Sequence, residues 1–161
     1  MTRTRPSAPV GALAALASVV LACAGCADPG DGWQPPEHAF RDFQLVVPVL
    51  LRDCGFHACH GSEDRFYRIY GPGRARLDPA TPAYDAMTGD EASASFTFAL
   101  SMIDTQQLEQ SLLLRKPLAV EAGGAHHEGV DRFGRDVYRT QDDQGYRAIE
   151  EFVLSVGEDA P

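Results

Sequence analysis

Cys54-Gly55-Phe56-His57-Ala58-Cys59-His60-Gly61 is the stretch on which the reading of this chain turns. Two cysteines stand with four residues between them, and the second is followed at once by a histidine and a glycine. Upstream, Phe40, Phe43, Val46, Val47, Leu50 and Leu51 recur at helical spacing and predict a helix from Ala39 to Asp53. Its C-terminal end delivers Cys54. Pro48 inside that run predicts a kink.

Two thiols with a histidine directly after the second are the residue set for covalent haem attachment. The thiols add to the vinyl groups and the histidine ligates the iron. Two residues between the cysteines is the common spacing, whereas this chain has four. A longer loop can bulge away from the ring and still bring both sulfurs to one porphyrin edge. The stricter requirement, the adjacent Cys59-His60 pair, is intact. Two other readings use the same residues. A Cys54–Cys59 disulfide would close a small loop and leave His60 as a polar loop residue. A zinc site would draw on Cys54, His57, Cys59 and His60, with His126 or His127 able to substitute. Crowding argues against zinc, because adjacent residues do not easily take two tetrahedral corners beside two close neighbours.

The chain has 161 residues, enough for one domain. It carries 14 basic and 23 acidic residues, a formal charge of −9, and Lys116 is its only lysine. That balance excludes a basic nucleic-acid-binding surface and suits a basic redox partner or none. No Ser/His/Asp order, phosphate loop, dinucleotide fingerprint or carboxylate pair points to an enzyme.

Residues 1–25 read as an export signal of the lipoprotein type. Arg3 and Arg5 precede an apolar segment, Val10 to Ala22, too short to span a bilayer. Ala24-Gly25-Cys26 suits lipidation at Cys26, with Cys23 as the alternative. A lipid there would anchor the exported chain to a membrane. Export favours haem at the main motif, because haem is attached to such thiols outside the cytoplasm.

Residues 26–38, rich in Asp, Gly and Pro, predict a flexible tether, and residues 39–157 a domain. Arg65 to Tyr70 is an aromatic run predicting a short helix or strand. Residues 91–104 predict a helix, although Phe96, Phe98 and Leu100 also alternate as in a strand. Leu108 to Leu114 is a second apolar patch. Residues 119–144 read as loop, and Tyr146, Ile149, Phe152, Val153 and Val156 predict a closing amphipathic helix. Phe56, Phe66, Tyr67, Tyr70, Leu77, Phe133 and Tyr138 are candidates for lining a cleft or for ordinary core.

Two blocks together carry a resemblance. The first is Cys54 to Gly61. The second is Ser111-Leu112-Leu113-Leu114-Arg115-Lys116-Pro117, then Gly123-Gly124-Ala125-His126, then the final helix. Over residues 40–157 the chain resembles the cytochrome c-like domains of exported bacterial proteins of planctomycete and myxobacterial type. Wider cysteine spacings occur among c-type cytochromes. Arg76-Leu77-Asp78 resembles a segment downstream of the attachment site. His127 and Glu128 replace the glycines usual after the loop histidine, and Phe152 stands where tryptophan is common.

The resemblance implies a mainly α domain of three to four helices wrapped around one haem, with long loops. It implies electron transfer with one covalent haem c on Cys54 and Cys59, with His60 as proximal ligand. His126 falls on the distal position, with His127 or Met102 as alternatives and Met87 ranked below them. Arg74 and Arg76 are candidates for propionate contacts. The redox partner is not named by the sequence. A structural or binding lipoprotein with a disulfide, or a small zinc module, is the competing expectation.

The anchor has its own test. Mature protein is expected to begin at a diacylated Cys26 and to partition into detergent, and Cys26→Ser should abolish both. Intact-mass analysis of the membrane fraction checks this, and a modified Cys23 would move the site by one small step along the chain.

Overall fold

In the computed structural model the described residues are 33–127 and 136–157, all within the unit Trp33–Pro161. Cys23, Cys26, the export signal and Phe133 lie outside the described residues. Four helices follow in order: α1 (Ala39–Asp53), α2 (Gly89–Leu100), the single-turn α3 (Leu112–Arg115) and α4 (Gln144–Gly157). Short 3₁₀ turns at Leu108–Gln110 and Val120–Ala122 flank α3. The architecture is mainly α, with two isolated bridges and no sheet among the described residues. None of the described helices is long and apolar enough to cross a membrane.

The core is the seam between α1 and α4. Phe43, Val46, Val47 and Leu50 form the buried stripe of α1, while Ile149, Phe152, Val153 and Val156 form that of α4. The Phe43 and Phe152 rings meet at 5.7 Å. Each such side chain contributes about 1.5–3 kcal/mol when fully buried. At the N-terminus of α1, His38 Nε2 lies 3.0 Å from the Ser155 carbonyl. Trp33 also packs on the core, so the last residues of the expected tether are held. Pro48 lies within α1 on its exposed face.

α2 begins with a reciprocal cap. The Thr88 hydroxyl accepts the Glu91 N–H at 3.2 Å, and the Glu91 carboxylate accepts the Thr88 N–H at 2.9 Å. Phe96 then packs between Phe40 and Phe43 of α1, at 5.3 and 5.4 Å. The strand-like alternation of Phe96, Phe98 and Leu100 therefore lies on a helix.

The aromatic run 65–70 forms neither helix nor strand, apart from a bridge between Tyr70 and Ala75. Its backbone is already engaged elsewhere. The Ile69 N–H donates to the His60 carbonyl at 3.0 Å, and the Tyr70 N–H to the buried Ser95 hydroxyl at 3.0 Å.

Arg76, expected as a propionate contact, is engaged by a buried carboxylate instead and does not share a cleft with the cysteines. Its guanidinium grips Glu91 at 2.7 and 2.8 Å, with side chains only 7% and 1% exposed. Burial alone would raise the Glu91 carboxyl, but the Thr88 N–H, Arg76 and the Leu77 N–H outweigh it and hold the group below its usual range.

Removing one partner strands a buried charge, so Arg76→Ala is expected to cost about 3–5 kcal/mol in urea unfolding. Because the folded carboxyl is depressed, its stabilisation is present above the unfolded pKa and lost as pH falls through the folded one. Stability should decline in that acid window, and Glu91→Gln should flatten the decline.

Candidate functional site

The turn after α1 is closed by its own backbone. Cys54 and Gly55 N–H groups both donate to the Leu50 carbonyl, at 2.9 and 3.0 Å. Phe56 accepts from Cys59 and Gly61 at 2.8 and 2.9 Å, and the His60 N–H returns to the Cys54 carbonyl at 3.0 Å. The four intervening residues thus fold out and back. A Cβ at Gly61 would overlap the Gly55 carbonyl oxygen, so this return requires glycine.

The result is a cleft of about 440 Å³ that both cysteines, His60, Tyr67, Met102 and His127 line. That volume lies within the range of small-molecule and cofactor sites, about 300–1,000 Å³. Leu50, Leu113 and Ile149 supply apolar wall, Phe56 and Phe66 stand exposed at its edge, and Arg52, Arg65 and Lys116 add positive charge. Cys54 and Cys59 are free thiols.

His60 Nδ1 lies 3.0 Å from the Tyr67 carbonyl oxygen. Only an N–H can satisfy that contact, so in the neutral ring Nε2 keeps its lone pair. Burial holds the imidazole below its usual range, against the pull of the Tyr67 carbonyl, with His127 and Arg65 adding to the depression. A neutral ring with an oriented second nitrogen is the metal-binding form of histidine. The Tyr67 ring meets His60 edge-on at 4.7 Å, and the His127 ring lies 5.9 Å from His60, nearly parallel at 13°. The phenol of Tyr67 is wholly buried, which raises its pKa, and no described residue bonds its oxygen.

The two thiols differ. Burial, reinforced by the neighbouring Asp53 carboxylate and Cys59, pushes Cys54 up to about 12. Cys59 is partly exposed. Asp53 itself takes a two-pronged contact from Arg52 at 2.7 Å and the Tyr138 hydroxyl at 2.7 Å. Burial and that carboxylate raise the Tyr138 phenol far above its usual value.

Several residues singled out in the sequence lie elsewhere. His126 is exposed and does not line the cleft, whereas its neighbour His127 does. His57 is exposed at the tip of the turn, away from the cleft wall. Among the described residues no group of three or more His, Cys, Asp or Glu side chains converges on a metal-sized point. Met87 packs beside Leu51 and Gly71 outside the cleft. Arg74 donates to the Leu51 carbonyl at 2.8 Å and lies over the Phe56 ring at 4.2 Å, so it braces the turn from behind. Tyr70, Leu77 and Tyr138 do not line the cleft. Arg52, Arg65, Lys116 and Asp136 do, and periodicity carried no signal for them.

No family model, curated protein or solved structure matches the chain.

The inequality of the thiols is measurable in protein without cofactor. At mildly alkaline pH, iodoacetamide is expected to modify Cys59 first and Cys54 roughly a hundredfold or more slowly, with the difference vanishing in urea. Peptide mapping of a time course reads both rates.

Proposed function

We propose that this chain is a monohaem c-type electron carrier, exported and lipid-anchored at Cys26. The observation that carries the reading is the state of His60. Its Nδ1 is committed to the Tyr67 carbonyl, which leaves Nε2 as the ligating nitrogen in a cleft that both free thiols share. The donor set fits the group: two thiols for thioether bonds, a neutral imidazole for the iron, apolar walls, and cations for carboxylates. Cys54 and Cys59 would hold the macrocycle by thioether bonds, and His60 and His127 would supply imidazole nitrogens to the iron. The preference for His127 over His126 rests on its place in the cleft and its ring facing His60.

When bound, the haem supplies one-electron exchange between ferrous and ferric iron. The protein's part is to bury the ring, fix His60 in one tautomer and exclude water with Leu50, Leu113 and Ile149. Arg52 and Arg65, which line the cleft where Arg74 and Arg76 do not, would be the guanidinium groups available to the propionates.

Expression with a cytochrome c maturation system should yield red protein whose haem survives denaturing electrophoresis. Cys54→Ser with Cys59→Ser should abolish that bond. The oxidised spectrum is expected to be low-spin without a sulfur-to-iron band, and His127→Ala should open the site to carbon monoxide while His126→Ala leaves it closed. A colourless product whose mass equals a Cys54–Cys59 disulfide would defeat the proposal. A sulfur-to-iron band lost in Met102→Leu would instead reassign the distal ligand to Met102, which also lines the cleft.

A further inference from the structure

The second sequence block, Ser111 to Pro117 followed by Gly123-Gly124, has no role in ligation as described above. In the fold its two halves are one unit. The buried Ser111 hydroxyl accepts the Asp104 N–H at 3.0 Å, and the Leu113 N–H donates to the Met102 carbonyl at 3.1 Å, which fixes α3 against the end of α2. The chain then turns at Val120–Ala122 and comes back beside α3. Gly123 takes φ +99°, in the left-handed region. The Gly124 N–H donates to the Ala119 carbonyl at 3.0 Å, and a Cβ there would overlap the Leu118 carbonyl. The Ala125 N–H donates to the Arg115 carbonyl at 2.8 Å. One residue on, the Lys116 ammonium donates to the His126 carbonyl at 2.8 Å.

We propose that Lys116 is a positioning residue: its ammonium latches the returning loop by the His126 carbonyl and so holds the next residue, His127, at the cleft. The inference rests on the haem reading only for what His127 does once held. Three observations carry the latch itself. The side chain lines the same cleft as His127. It bonds the peptide group that links His126 to His127. Upstream, Gly124 and Ala125 are fixed by backbone bonds, and the lysine adds a tie one residue nearer the histidine. A charged donor on a carbonyl is stronger than a neutral one, and its long stem reaches across without a backbone contact. The exposed His126 ring is thereby explained: the residue contributes its carbonyl to the latch, while its neighbour faces the cleft.

The test compares full-length wild type, Lys116→Met and Lys116→Arg, each with and without haem. In protein without haem, hydrogen exchange over Gly124 to His127 should rise roughly tenfold in Lys116→Met. Exchange across α1 and α4 should stay at wild-type rates, and Lys116→Arg should restore protection to the loop. In haem-loaded protein, Lys116→Met should gain high-spin character and bind carbon monoxide faster, with recovery in Lys116→Arg. Equal loop exchange in all three proteins overturns the latch. So does a loaded Lys116→Met protein whose spectrum and carbon monoxide response match wild type. A colourless wild type defeats the haem reading alone, and the exchange comparison still decides for or against the latch.

Discussion

The hydrogen bond from the His60 N–H to the Cys54 carbonyl is the constraint on which the site depends. It converts a six-residue excursion into a closed turn at the end of α1. Without it the four residues between the cysteines would carry Cys59 and His60 away from Cys54. With it, both thiols and the imidazole line one cleft. The bond is possible because Gly61 lets the chain pass the Gly55 carbonyl, and because Arg74 braces Leu51 and Phe56 from outside. One exchange of hydrogen bonds with water is worth only about 0.5–1.5 kcal/mol. Its effect is large because it acts at the junction of a rigid helix and a functional side chain.

Helix α1 is rigid because α4 covers it. The same helix that supplies Phe43 to the core supplies Cys54 to the cleft, so core packing and site geometry share one element. Leu50 and Ile149 belong to both, being buried in the seam and forming part of the cleft wall. Changes in the seam therefore reach the thiols without touching them.

The extent to which this was readable from sequence follows from how local each determinant is. Ala39–Asp53 and Gln144–Gly157 show a full apolar stripe, and periodicity found them to within a residue. Pro48, where the sequence predicts a kink, lies inside α1 on its exposed face. The aromatic pattern of 65–70 suits a helix or strand, but its backbone bonds go to His60 and Ser95, partners that a local pattern does not reveal. Arg76 looked free for an anionic ligand, but the buried Glu91 that claims it lies fifteen residues on. The choice between His126 and His127 depended on loop register. That register is set by the ties of Gly124, Ala125 and Lys116 to α3 and its exit, contacts that spacing cannot report.

The seam between α1 and α4 joins the two ends of the described chain, and His38 reaches Ser155 across 117 positions. Contacts of such separation must close a long loop before they are rewarded, so they form late. While the chain emerges from N- to C-terminus, Phe43 can meet Phe96 of α2 first, but the side of α1 that α4 covers, and Ile149's part of the cleft wall, wait until nearly the whole sequence is present. Cys54 belongs to the same core cluster, so its burial is complete only with that seam. The topology therefore makes the cleft a late product of folding, since Ile149 in its wall comes from the last helix.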